Sequence, residues 1–296
     1  YNFSKDDMYL DISATVYENL TTKVKSDKYE YILPNILYGK TFFTEKFGSL
    51  DFKSNVVYKN YETNKFTTFL TNDIIWSPGE NITKKGFVNS LEGIIKNTNY
   101  EAKNVTDYKT DEIINELSGV LSFKSSLPMQ KKGINFSNTF TPNFVVRFAP
   151  SHMRDLRKDD VSLKYANLYS TNKTSEIEDG LSTTLGFEFK TNEKSKDGSD
   201  KEKLSIAMGQ IFSAEKNKDI PSKSSLDQIM SDVVGEINYN FSEMGNINYK
   251  FALDHNFNTL NYNEVSTNLN FSKVAFNLGY LEERNHIGSE NYVNYG

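Results

Sequence analysis

Three histidines and one short Asp-Gly stretch are the residues whose chemistry could bind a metal ion. The histidines lie far apart in the sequence, and none has a partner at the spacing of metal ligands: His152, His255 and His286. Asp197, Gly198 and Asp200 resemble part of a calcium loop, but an EF-hand loop needs a regular series of ligands that ends in Glu. We therefore predict no metal site. We interpret the histidines as polar lumen or loop positions and the Asp-Gly stretch as solvated turn residues.

Two groups of adjacent carboxylates could in principle perform acid–base catalysis. Asp159 neighbours Asp160, and Glu282 and Glu283 stand beside Arg284. Adjacent residues of a strand point to opposite faces, so the two carboxylates of each pair would not converge on one substrate. The sequence contains no cysteine, no Ser-His-Asp set and no glycine-rich phosphate loop. We predict that the chain is not an enzyme and has no catalytic or cofactor-binding residue.

The composition of the 296 residues excludes further classes of protein. The net charge is −5 and no strip of lysine and arginine is present, which argues against nucleic acid as a partner. No run of about 18 apolar residues could form a transmembrane helix. Only 37% of the residues are hydrophobic, yet 14% are aromatic, an aromatic content that disordered chains do not have.

Alternation of apolar and polar residues with a period of two is the dominant pattern of the chain. It is clearest in the last third, where one run places Ile247, Tyr249, Phe251 and Leu253 on one side of a strand. Such a run predicts a strand with one apolar and one polar face. Short polar turns such as residues 242–245 separate consecutive runs, which is typical of antiparallel strands joined by hairpins.

The length of these runs distinguishes a membrane barrel from a soluble sandwich. A strand of about ten residues is roughly 33 Å long, and a tilt near 45° gives it a vertical span of about 24 Å. This span matches the apolar band of an outer-membrane barrel, whereas soluble strands are usually about half as long. The polar face is rich in Asn, Ser, Thr, Lys and Glu, which suits a wet lumen. The sequence thus predicts an all-β fold, an antiparallel transmembrane β-barrel.

The predicted organisation is one outer-membrane β-barrel domain over residues 1–296 with about 14 to 16 strands, including one at residues 161–168. Long loops are expected near residues 98–116, 191–203 and 213–231. A short helix within the first of these loops is possible, with Asp111 as its cap.

Aromatic, basic and proline residues of the strands allow three further interpretations. Lumenal cations could meet phosphate groups, although ordinary lumen charges are the simpler interpretation: Arg147, Lys190, Lys203 and Lys250. Prolines in strands could weaken pairing, but we favour the view that they end strands: Pro34, Pro142 and Pro150. Tyrosines at strand ends are predicted to form the aromatic girdles of the membrane interfaces: Tyr29, Tyr31, Tyr58, Tyr61, Tyr165, Tyr169 and Tyr239.

Several short motifs follow one another in a specific order between Thr139 and Gly235. They are a strand bracketed by Pro142 and Pro150, Met153-Arg154-Asp155, a polar loop over residues 168–180 that leads into Leu185-Gly186, a strand with Gly209-Gln210-Ile211-Phe212, and residues 231–235. This order resembles the barrel domain of the LptD family of lipopolysaccharide-assembly proteins. Residues 29–35 also resemble the family's strand with an embedded proline. The loop departs from the family pattern at Lys173 and Glu176, which puts any salt bridge made there in relatives in doubt.

The resemblance implies lipid transport in the outer membrane without covalent chemistry. Family members receive lipopolysaccharide from a periplasmic Lpt bridge and release it into the outer leaflet. The family barrel is larger than 14 to 16 strands, so the chain is expected to be a segment of a bigger or incompletely closed barrel. The implied partners are lipopolysaccharide, membrane lipids, the Lpt bridge and a lumen-plugging lipoprotein similar to LptE, and the implied location is the cell outer membrane. The substrate-contact residues are unknown.

A diffusion porin and a surface receptor barrel remain alternatives, because both share the barrel and its wet lumen.

Overall fold

The computed structural model describes residues 1–17, 30–61, 64–105, 112–150, 153–157, 159–194, 199–241, 244–271, 274–284 and 289–296. These residues form 17 β-strands and two 3-10 turns, and the strand pairings among them are antiparallel. The prediction of an all-β antiparallel fold is confirmed. Within the described ranges, no helix is long and apolar enough to cross a membrane.

The strands occupy most of the described chain. In chain order they are β1 Asn2–Lys5, β2 Met8–Tyr17, β3 Glu30–Thr44, β4 Gly48–Tyr61, β5 Lys65–Ser77, β6 Glu80–Ile82, β7 Val88–Lys103, β8 Ile113–Ser126, β9 Met129–Lys132, β10 Phe136–Ala149, β11 Gly180–Lys194, β12 Asp200–Ser213, β13 Val233–Asn240, β14 Gly245–Leu253, β15 Leu260–Phe271, β16 Val274–Glu283 and β17 Asn291–Tyr295. The 3-10 turns are Tyr165–Asn167 and Ser222–Ser224.

The chain divides into two compact units. Unit 1 comprises Tyr1–Gly79 and Leu91–Val120, and unit 2 comprises Glu80–Ser90 and Leu121–Gly296. In unit 1, β1 to β5 pair in chain order and β5 also pairs with β7. In unit 2, β9 and the part of β8 that begins at Leu121 both pair with β10, and each strand from β10 to β17 then pairs with the next. The assignment of residues 1–296 to one domain stays a prediction.

In unit 2 the apolar face of the strands is the exposed one. The exposed fraction is 51% for Phe148, 48% for Leu185 and 53% for Leu278. The opposite face, called the polar face below, carries buried residues such as Thr184 and Ser205, which are 3% and 5% exposed. A soluble sheet would bury its large apolar side chains, so this arrangement is typical of strands that present them to lipid.

The three prolines act differently on the ladders. Pro150 directly follows the last residue of β10, as the strand-ending interpretation predicts. Pro34 lies inside β3, where the register shifts against both neighbouring strands. Pro142 lies inside β10, between the stretch that pairs with β9 and the stretch that pairs with β8. The strand-ending interpretation is therefore wrong for Pro34 and Pro142. Both stand where pairing is interrupted, because proline has no N–H to donate.

The strand prediction missed three short strands and placed one where none exists. β1, β6 and β9 have only three or four residues, too few for a period of two to become visible. The predicted strand at residues 161–168 is wrong, because these residues form irregular chain with the 3-10 turn Tyr165–Asn167. Their apolar side chains pack against the sheet instead of pairing with a strand.

Two of the predicted loops are shorter than expected. β7 continues to Lys103 and β8 begins at Ile113, so the predicted helix near residues 111–117 is a strand where it is described, and Asp111 lies outside the described residues. β11 continues to Lys194 and β12 begins at Asp200, with residues 195–198 outside the described residues. β12 ends at Ser213 and β13 begins at Val233.

Candidate functional site

The connection from β10 to β11 folds onto the polar face of unit 2. Its described residues, 153–157 and 159–179, are called the inserted segment. Apolar side chains of this segment and of the β12–β13 connection form one buried cluster with strand residues: Met153, Leu156, Val161, Leu163, Leu168, Ile211, Ile220, Leu226, Val234, Ala252 and Tyr262. Burying a leucine such as Leu168 contributes about 1.5–3 kcal/mol. The hydrophobic effect therefore holds the segment on a face that is otherwise polar.

Two glycines form the floor on which the inserted segment lies. Gly186 of β11 and Gly209 of β12 are partners in the ladder. A Cβ atom on Gly209 would lie 2.7 Å from Cδ2 of Leu168, and one on Gly186 would overlap the hydroxyl of Tyr169. Both glycines belong to motifs that carry the family resemblance. Their missing side chains allow the segment to approach the backbone of the sheet closely.

Arg147 of β10 anchors the end of the inserted segment. Its side chain is buried, its Nε donates to the carbonyl of Thr171 at 2.6 Å, and its Nη2 donates to the carbonyl of Glu178 at 2.5 Å. Next to it, the hydroxyls of Ser122 and Thr171 share a hydrogen bond of 2.6 Å. One guanidinium thus fixes two points of the segment that are seven residues apart in the chain.

The polar loop of the resemblance is folded by its own side chains. Asn172 Nδ2 donates to the carbonyls of Thr174 at 2.8 Å and Glu176 at 2.6 Å. The carboxylate of Glu178 accepts from the backbone N–H of Lys173 at 2.5 Å. Glu176, at which the loop departs from the family pattern, forms an ion pair with Arg154 at 2.9 Å. The position of Glu176, where the sequence differs from the family pattern, therefore takes part in a salt bridge, and Arg154 supplies the cation.

The β12–β13 connection is fixed to the same strands by the other motif residues. Gln210 Nε2 donates to the carbonyl of Ser231 at 2.7 Å, and the hydroxyl of Ser231 accepts from the N–H of Ile211 at 3.0 Å. Asn261 Nδ2 donates to Asp232 Oδ2 at 2.8 Å. The Gly-Gln motif therefore positions this connection beside the inserted segment.

A cavity of about 560 Å³ lies where these connections meet the ends of β10, β11 and β12. Four cationic and four anionic side chains line it: Arg147, Lys173, Lys216, Lys218, Glu178, Asp179, Glu215 and Asp219. Asn217 Nδ2 donates to Asp179 Oδ1 at 2.6 Å and so links the two connections at the cavity wall. A lining of mixed charge suits a hydrophilic group, not an acyl chain.

The other predicted lumenal cations are already engaged with carboxylates. Lys190 contacts Glu188 at 2.7 Å, Lys203 contacts Glu193 at 3.6 Å, and Lys250 contacts Glu264 at 3.3 Å, between Nζ and carboxylate oxygen. Arg147 differs because its described hydrogen bonds go to backbone carbonyls. The structure therefore brings Arg147 into the site and leaves the three lysines in ion pairs along the strands.

The residues considered for metal binding or catalysis do not converge in the part of the chain that the structure describes. His255 Nδ1 lies 3.0 Å from Asp254 Oδ1, while His152 and His286 are outside the described residues. Glu282 forms an ion pair with Arg284. Among the described residues no group of three or more histidine and acidic side chains is arranged to hold a metal ion.

The prediction of tyrosine girdles fails for two of the seven tyrosines. Tyr31 and Tyr239 are 40% and 42% exposed, and their place in a girdle stays a prediction. For Tyr165 and Tyr169 the prediction is wrong, because both pack against the buried cluster of the inserted segment, with ring centroids 5.8 Å apart. Tyr29 lies outside the described residues.

Burial of Tyr165 predicts a pH dependence for the inserted segment. Burial, helped by the charge of Glu188, raises the pKa of its phenol from the ordinary 10.0 to about 12. The folded state then holds the phenolic proton more tightly than the unfolded state does. The contribution of the protonated Tyr165 phenol to the stability of the folded state is complete below pH 10 and is lost as the pH rises towards 12. In an alkaline absorbance titration of the full protein, the difference between the native protein and Tyr165→Phe should show a tyrosinate that forms near pH 12. A difference that titrates near pH 10 would contradict the burial of this residue.

The comparison with known proteins agrees with this geometry. No curated protein matches the chain. The family model described as LPS transport system D, LptD, matches residues 1–295, which is nearly the whole chain. Members of this family are outer-membrane β-barrel proteins, in accord with the antiparallel strands and their exposed apolar face. The chain belongs to the LptD family of lipopolysaccharide transport proteins.

Proposed function

We propose that the chain is part of the outer-membrane translocon that inserts lipopolysaccharide into the outer leaflet, and that it acts without covalent chemistry. The match of residues 1–295 to the LptD family carries this proposal. The site of action is then the cell outer membrane. The protein would stabilise the lipid along its route and would make or break no bond in it.

The two faces of the strands support this role. Lipopolysaccharide combines a saccharide and phosphate portion with acyl chains, and the two portions need different surroundings. The polar face and the cavity lined by Arg147 and Lys173 can accept hydrophilic groups, whereas acyl chains are stable only against apolar surface or lipid. The exposed apolar face, with residues such as Phe148, suits contact with hydrocarbon.

The partners are part of the same proposal. A periplasmic Lpt bridge would deliver the lipid, and a lipoprotein similar to LptE would occupy the lumen of the complete barrel. The inserted segment already covers part of the polar face of unit 2. A lumenal lipoprotein would then contact the polar face where the segment leaves it uncovered.

Depletion of the parent gene in its host tests this function. We expect lipopolysaccharide at the cell surface to fall and to accumulate inside the envelope, measured by surface labelling and by fractionation of the membranes. Unchanged surface lipopolysaccharide together with slower uptake of small solutes would overturn the proposal in favour of a diffusion porin.

A further inference from the structure

A cluster of uncharged polar side chains lies on the exposed apolar face of unit 1. It is called the amide cluster and consists of Ser54 of β4, Asn72 of β5, Asn97 and Asn99 of β7, and Asn115 of β8. Residues two apart on a strand share a face, so the cluster lies on the same side as exposed apolar neighbours. The exposed fraction is 37% for both Leu70 and Ile74, 51% for Ile95 and 69% for Leu117.

The amides of the cluster are bonded to one another in a closed ring. Asn99 Nδ2 donates to Asn97 Oδ1 at 2.7 Å, Asn97 Nδ2 donates to Asn115 Oδ1 at 3.3 Å, and Asn115 Nδ2 donates to Asn99 Oδ1 at 2.5 Å. Asn72 Nδ2 also donates to Asn97 Oδ1 at 3.5 Å, and Asn72 Oδ1 accepts from Ser54 at 2.8 Å. Every amide oxygen of the cluster therefore already accepts a hydrogen bond.

The ring leaves several N–H groups without a described acceptor. Each amide nitrogen has two N–H groups, and the second one of Asn97 goes to the carbonyl of Glu116 at 3.3 Å. Within the described residues, only one N–H group is used in a hydrogen bond by each of the other three amides, Asn72, Asn99 and Asn115. These N–H groups suit an acceptor-rich group such as a phosphate diester, and hydrocarbon cannot satisfy them.

A carboxylate lies next to the cluster on the same face. Glu101 is two residues, about 6.6 Å, beyond Asn99 on β7. It is exposed and forms no ion pair with another described residue. Lys103, the next residue on this face, holds its ammonium 5.9 Å from the ring centroid of Phe66. Donors at Asn99 and an anion at Glu101 are complementary to a phosphate followed by an ammonium.

We propose that the amide cluster and Glu101 bind the head group of a zwitterionic aminophospholipid. The phosphate accepts from the free N–H groups of Asn99 and Asn115, and the ammonium contacts Glu101. The acyl chains lie over Ile95 and Leu117, on the side of the cluster away from Glu101. This lipid is a resident of the membrane and not the cargo, so the proposal does not depend on which lipid is transported.

Lipid titration of the delipidated full protein, followed by native mass spectrometry, tests the site. The native protein should bind phosphatidylethanolamine about tenfold more tightly than phosphatidylglycerol, which has the phosphate but no ammonium. The variant N99L/N115L should bind phosphatidylethanolamine about tenfold more weakly, and E101Q should remove the preference between the two lipids. The double variant N246L/N268L is the matched control, because it removes a bonded amide pair from the polar face of unit 2.

Each outcome of this titration decides the proposal. Equal binding of both lipids by the native protein, or undiminished binding by N99L/N115L, would overturn it. Displacement of phosphatidylethanolamine by an equimolar amount of lipopolysaccharide would also overturn it and would assign the surface to the cargo. If N99L/N115L does not fold, judged by its mobility in a gel before and after heating, E101Q replaces it as the deciding variant. A lipid preference that E101Q leaves intact would then overturn the proposal, and its loss would support it.

Discussion

Replacement of Arg147 by methionine should release the end of the inserted segment and strongly destabilise the protein. The guanidinium is buried and donates to the carbonyls of Thr171 and Glu178. Methionine fills a similar volume but leaves both carbonyls without a donor, at a cost of about 1–3 kcal/mol each. Urea-induced unfolding of the full protein in lipid vesicles should show a loss of about 2–5 kcal/mol.

A second measurement shows where the Arg147→Met protein is loosened. Trypsin should cleave after Lys173 much faster in this variant, because cleavage follows local opening of the chain. Arg157→Met is the control, since Arg157 is 63% exposed in its side chain and bonds only to Asp155 among the partners described. Equal cleavage rates and equal unfolding midpoints for the native protein and Arg147→Met would show that Arg147 does not anchor the segment.

The strands of the fold could be predicted because side-chain alternation is a local property. The run from Ile247 to Leu253 shows the period of two directly, and the structure has β14 there. The inserted segment could not be predicted in the same way. Leu163 and Leu168 are buried against residues from β12 and β13, which are distant in sequence. Val161, Leu163 and Tyr165 alternate with polar residues and so imitate a strand, because a period of two does not reveal what a side chain packs against.

The sequence motifs mark the site without revealing its role. Gly186, Gly209 and Gln210 stand out by their order in the sequence, and the structure shows that they receive and fix the two connections. Nothing local distinguishes Arg147 from the lysines of neighbouring strands. Its burial becomes evident only when Thr171 and Glu178 are placed beside it. The alternating run Val161, Leu163 and Tyr165 is short, and residues 169–176 show no period of two. This is the available signal that the stretch does something other than pair.

Alanine at Gly209 should displace the inserted segment from the sheet. A Cβ atom there would lie 2.7 Å from the carbonyl oxygen of Leu185 and 2.7 Å from Cδ2 of Leu168. Leu168 could rotate away, but the backbone of β11 cannot yield without disturbing the ladder. Overpacking of this kind costs about 1–3 kcal/mol. Urea unfolding of the full protein in vesicles measures this loss.

The displaced segment gives Gly209→Ala a signature that general strand damage would not produce. Tyr169 and Tyr165 pack beside Leu168, so loosening should lower the pKa of Tyr165 from about 12 towards the ordinary 10.0. The control is Gly39→Ala in β3, where the nearest atom to a new Cβ is 4.0 Å away. It should unfold close to the native midpoint with its tyrosine titration unchanged. A Gly209→Ala protein with native stability and an unchanged Tyr165 would mean that the glycine floor does not govern how closely the segment packs.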